Sequence, residues 1–205
     1  MRIAIGFVAA AALLTTPASA ETRALSGFDS ISASGRVEVE IVVGPQFSVD
    51  VTGPHIERVL TRVEGGNLRI ETRNEHGWRG RGRDGLVRVT LPSLRALDVS
   101  AGAEVDARDI AASGFILDAS SGGYVVIEGE CQTLSLDLSS GANVRAGDLR
   151  CGEVRADASS GANATVYAVS TISVDASSGA SLRWAGPAQL RHVDLSSGAS
   201  ARRLD

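Results

Sequence analysis

Six aspartates recur in this chain inside one short phrase: Asp98 in DVSAGA, Asp118 in DASSGG, Asp137 in DLSSGA, Asp157 and Asp175 in DASSGA, and Asp194 in DLSSGA. Carboxylates in such number suggest three chemistries. Clustered acids beside a basic residue that can take a proton would suit a polysaccharide lyase or another carbohydrate-active enzyme. A ladder of them could hold calcium, as repeat β-rolls do with a Gly-Gly-x-Gly-x-Asp pattern. Alternatively, each aspartate could bracket a turn by accepting a hydrogen bond from the backbone two residues on. The first chemistry needs a base, yet the chain has no lysine, and His55, His76 and His192 belong to no G-x-S-x-G, H-E-x-x-H or metal-ligand spacing. The second needs six to eight oxygens per ion, and the calcium pattern is missing. The turn bracket remains, and the sequence assigns no catalytic residue, no metal and no cofactor.

The spacing of the phrase shows what must carry it. Anchored on Gly102, Gly122, Gly141, Gly161, Gly179 and Gly198, the repeats are 20, 19, 20, 18 and 19 residues apart. The residue before each aspartate is Leu97, Leu117, Leu136, Ala156, Val174 or Val193, and the one after it is Val99, Ala119, Leu138, Ala158, Ala176 or Leu195. Apolar neighbours on both sides of a polar residue mark a strand with one face inward, so the aspartates point outward. Short strands and a fixed turn at a period of about 20 residues are the signature of a solenoid. The leucine-rich pattern is absent, and an all-β parallel β-helix (β-solenoid) fits. Six coils at about 4.8 Å each would stand roughly 29 Å tall. The glycine of each repeat suits a corner with positive φ. Stacked aspartates would repel by roughly 0.9 kcal/mol per neighbouring pair in water.

Upstream of the regular repeats, which run over residues 94–201, residues 25–92 are β-rich but less regular. HIERVLTRVEGG places Ile56, Val59, Leu60 and Val63 at helical intervals before Gly65-Gly66, which predicts a short helix able to cap the exposed core at one end of the solenoid. The loop RNEHGWRGRGRDG gathers Arg73, His76, Trp78, Arg79, Arg81 and Arg83. Arginines around an aromatic suit stacking on sugars that carry carboxylates, so these six are the candidate ligand contacts, for a surface glycan or a protein. Trp184 is expected to pack in or beside its coil.

The first 20 residues, MRIAIGFVAAAALLTTPASA, have one basic residue, an apolar run and an Ala-x-Ala end, the pattern of a cleaved signal peptide. Residues 21–205 are then one exported domain, in the periplasm or at the cell surface, with no membrane insertion. A net charge of −4 gives no reason to expect nucleic acid or an anionic membrane as partner. Cys131 and Cys151 each lie six residues before an aspartate, so they hold the same place in consecutive coils. Stacked strands bring such positions within the 4.4–6.8 Å Cα range of a disulfide. The alternative is a reduced pair used as small apolar filling.

The stretches GFDSISASGRVEVEIVVG, SVDVTGPHIERVLTRVEGGNLRIET, VRVTLPSLRALDVSAGAEV and the SSGA coils together resemble the bacterial GIN-domain family of autotransporter adhesin heads, over roughly Leu25 to Ala201. That resemblance implies a right-handed parallel β-helix outside the cytoplasm and a non-catalytic binding or structural role at the cell envelope. No translocator barrel is expected after Asp205. A carbohydrate-active enzyme on a β-helix, and a periplasmic scaffold that assembles end to end as a homo-oligomer, are the alternative expectations. Arg202 and Arg203 would discourage edge-to-edge pairing.

Overall fold

The computed structural model describes residues 19–73 and 82–204, so residues 74–81 of the arginine-rich loop, with the candidate contacts His76, Trp78, Arg79 and Arg81, lie outside it. The regular part is a β-solenoid of about five turns. It is built from β9 (Glu104–Ala119), β10 (Tyr124–Leu138), β11 (Asn143–Ala158), β12 (Asn163–Ala176), β13 (Ser181–Ala185), β14 (Gln189–Leu195) and β15 (Ser200–Arg203). Each long strand wraps one coil. In β11 the inward residues are Val144 and Ala146, then Leu149 and Cys151, then Val154, Ala156 and Ala158, with two consecutive outward positions at Gly147-Asp148 and Gly152-Glu153. A period of two cannot slip a position unless the backbone bends, so each slip is a corner.

The third corner is the repeated phrase. Ser140 and Gly141 both have positive φ, 51° and 74°, and the Ala142 N–H donates to the Ser139 carbonyl at 3.1 Å. Two consecutive left-handed residues closed by such a bond make a type I′ turn. This corrects the bracket expectation. Asp137 accepts no turn bond among the described residues, because it lies on the outward face of β10, facing Asp118 and Asp157 in register. The main chain closes the corner by itself. Meanwhile the Gly141 N–H donates to the Ser160 carbonyl of the next coil at 3.1 Å, a contact repeated from Gly122 to Ser140 and from Gly161 to Ser178. The ladder between coils therefore runs through the turn without a gap.

The N-terminal strands are β1 (Ser19–Thr22), β2 (Ser30–Ser34), β3 (Val37–Val43), β4 (Ser48–Gly53), β5 (Val59–Glu64), β6 (Asn67–Thr72), β7 (Gly85–Leu91) and β8 (Ala96–Ser100). Their stacking order differs from their chain order. β2 lies between β6 and β8, and β3 lies between β7 and β9, all parallel. The chain thus lays down the second level first, goes out to the end, and returns past itself. At that end β4 covers the edge of β7 and β5 covers the edge of β6, both antiparallel, with β1 on β4.

The expected capping helix is instead a single 3-10 turn, Ile56–Arg58, followed by β5. Val59, Thr61 and Val63 are β-branched at a period of two, which favours a strand. The alternate residues Arg62 and Glu64 form an ion pair at 2.7 Å, and Arg62 reaches Glu71 of β6 at 3.0 Å. Helical spacing of the apolar residues was a coincidence of this two-residue pattern with Ile56 and Leu60. The Arg23 guanidinium finishes the cap by donating to the Val59 carbonyl at 2.8 Å, the Thr61 hydroxyl at 2.9 Å and the Ile56 carbonyl at 3.4 Å.

Inside, equivalent residues stack into one continuous core, as in the column Phe115, Leu134, Val154 and Ile172. Trp184 is 7% exposed and fills the last inward position of β13. Cys131 and Cys151 face each other in register and are joined in a disulfide with a Cα separation of 4.5 Å.

Two outcomes follow. Gly141→Val has open space around its Cβ but forces a β-branched residue to positive φ, so the variant should lose about 1–3 kcal/mol and melt roughly 2–12 °C lower, measured by circular dichroism. Reduction of the 131–151 bridge, which closes a loop with a sequence separation of 20, should cost about 3 kcal/mol in the chain-entropy view. Unchanged melting after complete reduction would contradict a stabilising bridge.

Candidate binding surface

One side of the solenoid lies between the corner at Gly152-Glu153 and the Ser-Gly turns, and its outward residues form columns. Nearest that corner stand Gly114, Thr133, Glu153, Thr171 and Gln189; next come Ile116, Ser135, Arg155, Ser173 and His192; then follow the six aspartates. The first serine or alanine-linked serine of each turn completes the side. Parallel pairing fixes the vertical repeat at about 4.8 Å, and successive outward positions lie roughly 6.6 Å apart. The result is a flat lattice of oxygen atoms with few cations in it.

The ladder is continuous: Asp98 faces Asp118, which faces Asp137, then Asp157, Asp175 and Asp194. Burial against its neighbours raises the carboxyl of Asp118, and the charges of Asp137 and Asp98 raise it further. Asp157 is raised in the same way, by burial first and then by Asp175 and Asp137. Burial also raises Asp98, and Arg69 partly offsets this. At the far end the His192 ring nitrogen Nε2 lies 3.1 Å from Asp175. A groove of about 240 Å³ runs along Asp137, Asp157, Asp175 and Asp194 beside Ser159, Ser177 and Ser196.

A second hollow, of about 360 Å³, lies between Arg95 and Arg155 and is floored by Phe115, Ile116 and Leu134. Arg95 is held by Asp29, with Nη2 to Oδ1 at 2.7 Å. Ile116 is 51% exposed in an otherwise polar column. Neither Ile116, Arg95 nor Arg155 was singled out from the sequence. The available signal was position: counted from the aspartate, Ile116 and Arg155 occupy outward sites where the other repeats carry alanine, serine or histidine.

The arginine-rich loop fares differently. Arg83 pairs with Glu104 and donates to the Gly102 carbonyl at 3.0 Å and the Val37 carbonyl at 3.4 Å, so it clamps the loop's end to the first repeat turn. The Arg73 N–H donates to the Arg58 carbonyl at 2.8 Å. Their partners His76, Trp78, Arg79 and Arg81 lie outside the described residues. His55 lies 3.6 Å from Glu57 at the capped end, remote from His192. Among the described residues no three His, Cys, Asp or Glu side chains converge as a metal site, and no helix is long and apolar enough to cross a membrane. The aspartates stand in a column on one wall, which supplies hydrogen-bond acceptors and negative charge, with His192 beside Asp175 at its far end.

A family model described as "Putative auto-transporter adhesin, head GIN domain" matches residues 27–188. Among solved structures, a putative adhesin from Bacteroides fragilis superposes with a TM-score of 0.67 at 16% identity, covering 92% of this chain and 97% of that one. A putative adhesin from Parabacteroides merdae gives 0.53 at 13% identity, with 93% and 98% covered. A putative lipid binding protein from Parabacteroides distasonis gives 0.52 at 14% identity, also with 93% and 98% covered. At these identities the likeness is one of fold. No curated protein matches the chain.

The ladder makes stability depend on pH in a definite direction. Asp98, Asp118 and Asp157 have native pKa values above their unfolded values, so the native state holds more protons from about pH 4 up to the raised values. Their destabilisation is fully present at neutral pH and fades as pH falls toward 4. Asp29, Asp50 and Glu71 run the other way: bonds from Arg95, from the Ser48 and Thr22 hydroxyls, and from Arg62 lower them. Their contribution is lost as pH falls below about 4. Asp118→Asn removes two like-charge contacts of about 0.9 kcal/mol each at the dielectric of bulk water, before salt screening. The variant should melt about 1–4 °C higher at pH 7.5 and low salt, and the gain should shrink at pH 4.5. A lower melting temperature at pH 7.5 would show that the carboxylate bonds something essential.

Proposed function

We propose, because this chain belongs to the auto-transporter adhesin head GIN-domain family, that it is an exported, non-catalytic binding module of the cell envelope, wound as a right-handed solenoid. The observation that carries this reading is the in-register surface of Ser, Asp and Arg155 columns. Its side chains are fixed by a backbone ladder rather than by loops, so little ordering entropy opposes contact with an extended partner. Repetition at one spacing suits a partner that is itself repetitive or broad. The negative ladder disfavours polyanions and favours a neutral glycan rich in hydroxyl groups or a basic protein surface. Arg155 and Ile116, beside the ladder, supply a donor and an apolar contact at one place along it.

The test is binding of the purified protein to an array of neutral and acidic glycans and to basic proteins. Retention should be lost in Asp137→Ala combined with Arg155→Glu, two exposed changes that leave the core intact. The bound glycan should be recovered with unchanged mass. A shortened or unsaturated product would replace this reading with an enzymatic one. Protease treatment of intact cells should degrade the protein if it is surface-exposed and spare it if it is periplasmic.

A further inference from the structure

The two ends of the solenoid are unlike. At the N-terminal end the outer strand β5 alternates charged Arg62 and Glu64 along its edge, and Arg23 occupies the Ile56 and Val59 carbonyls. Charges on an edge and occupied carbonyls are how sheets avoid pairing with another chain. At the other end the arginines Arg202 and Arg203 lie on β15, which covers the edge of β13 on a different side of the prism, whereas the inward register positions of β14 lie open. Leu190, Val193 and Leu195 align with the core residues Ile172, Val174 and Ala176 of β12, yet they are 47%, 44% and 42% exposed. Among the described residues no strand pairs with the outer edge of β14.

The edge of β14 is complementary to itself. The Ser196 N–H donates to the Ala176 carbonyl of β12 at 3.0 Å, so by alternation Val193 and Leu195 direct their N–H and C=O groups away from β12, toward the open edge. A residue of that kind, set opposite its own copy across a two-fold axis, exchanges both backbone bonds in an antiparallel pair. An axis at Val193 therefore forms two such bonds there and joins the inward faces, Val193 against Val193. The flanking positions on the outward face are then His192 opposite Asp194 of the other copy, and the same pair again by symmetry. These fall at the closer, non-hydrogen-bonded positions, where side chains approach best. His192 already lies 3.1 Å from Asp175 of its own chain, so it would stand between two carboxylates. A register one residue off would place inward valine against outward histidine and lose the match.

We propose that the open end of the last coil is a homodimer surface: two copies meet C-terminal end to C-terminal end, with β14 paired antiparallel across an axis at Val193. Because the opposite end is capped, the assembly closes at two copies and does not extend into a filament. The proposal stands apart from any ligand, since the Ser and Asp columns of both copies remain exposed on the side of the joined prism.

Sedimentation velocity of the purified protein over about 1–100 μM should show a monomer–dimer equilibrium with no larger species, a range set by a small interface. Val193→Asp, at an exposed position, should leave a folded monomer throughout. His192→Ala should weaken association about two- to thirtyfold, as loss of two cross-strand pairs implies. Val193→Cys should form an intermolecular disulfide under mild oxidation, whereas Val169→Cys, 40% exposed on another side, should not. A protein that stays monomeric at every concentration overturns the proposal. So does a dimer that survives Val193→Asp, or higher oligomers that grow with concentration.

Discussion

The structure depends on one repeated main-chain contact, the N–H of Gly122, Gly141, Gly161 and Gly179 donating to the carbonyl of the turn serine one coil further on. Without it the Ser-Gly corners of successive coils would meet only through water, because the turn residues stand exposed at the surface. With it, the ladder that joins β10 to β11 and β11 to β12 continues around the corner, and successive coils are held at one spacing. The type I′ geometry needs two left-handed residues in sequence. Serine accepts that conformation at some cost and glycine at almost none, which is why the phrase ends in Ser-Gly rather than in two larger residues. The aspartates are passengers of this register. Burial first, and for Asp118 and Asp157 the stacked carboxylates next, raises the pKa of Asp98, Asp118 and Asp157, each placed above another aspartate by backbone bonds in which its carboxylate takes no part.

Much of this was legible because the repeat writes its register into the chain. The position of Cys131 relative to Asp137, and of Cys151 relative to Asp157, located both cysteines at one place in consecutive coils, and the disulfide follows from that alignment. The inward positions of the repeats were equally plain. The N-terminal third was not legible in the same way, because nothing local records which strand will lie beside which. Val37, Val39 and Ile41 announce a strand, but pairing with β7 on one side and β9 on the other is a matter of distant partners. The segment from Ile56 to Val63 satisfied two periodicities at once. Tertiary pairing with β6 chose the strand.

The candidate surface was half visible. Its aspartates stood out by repetition, whereas Ile116 and Arg155 stood out only by departing from it. The arginine-rich loop drew attention by composition, and Arg83 shows why composition misleads: its guanidinium is committed to Glu104 and to two carbonyls. An arginine in a conspicuous cluster is still free to serve the fold.

The order in which the levels are laid down bears on how such a chain acquires its structure while it is being made. From Tyr124 onward each coil finds its partner about 20 residues earlier and can be added as it emerges. The strands β2 and β3 cannot do this, because both of their neighbours, β6 with β8 and β7 with β9, are synthesised later. Two apolar strands near the start are therefore paired on both edges only after about 65 further residues have followed, a delay set by the span from Val43 to Arg108 and of the kind that slows folding through loop closure. A vectorially delivered chain of this design has a fast half and a slow half, and the slow half is the one that arrives first.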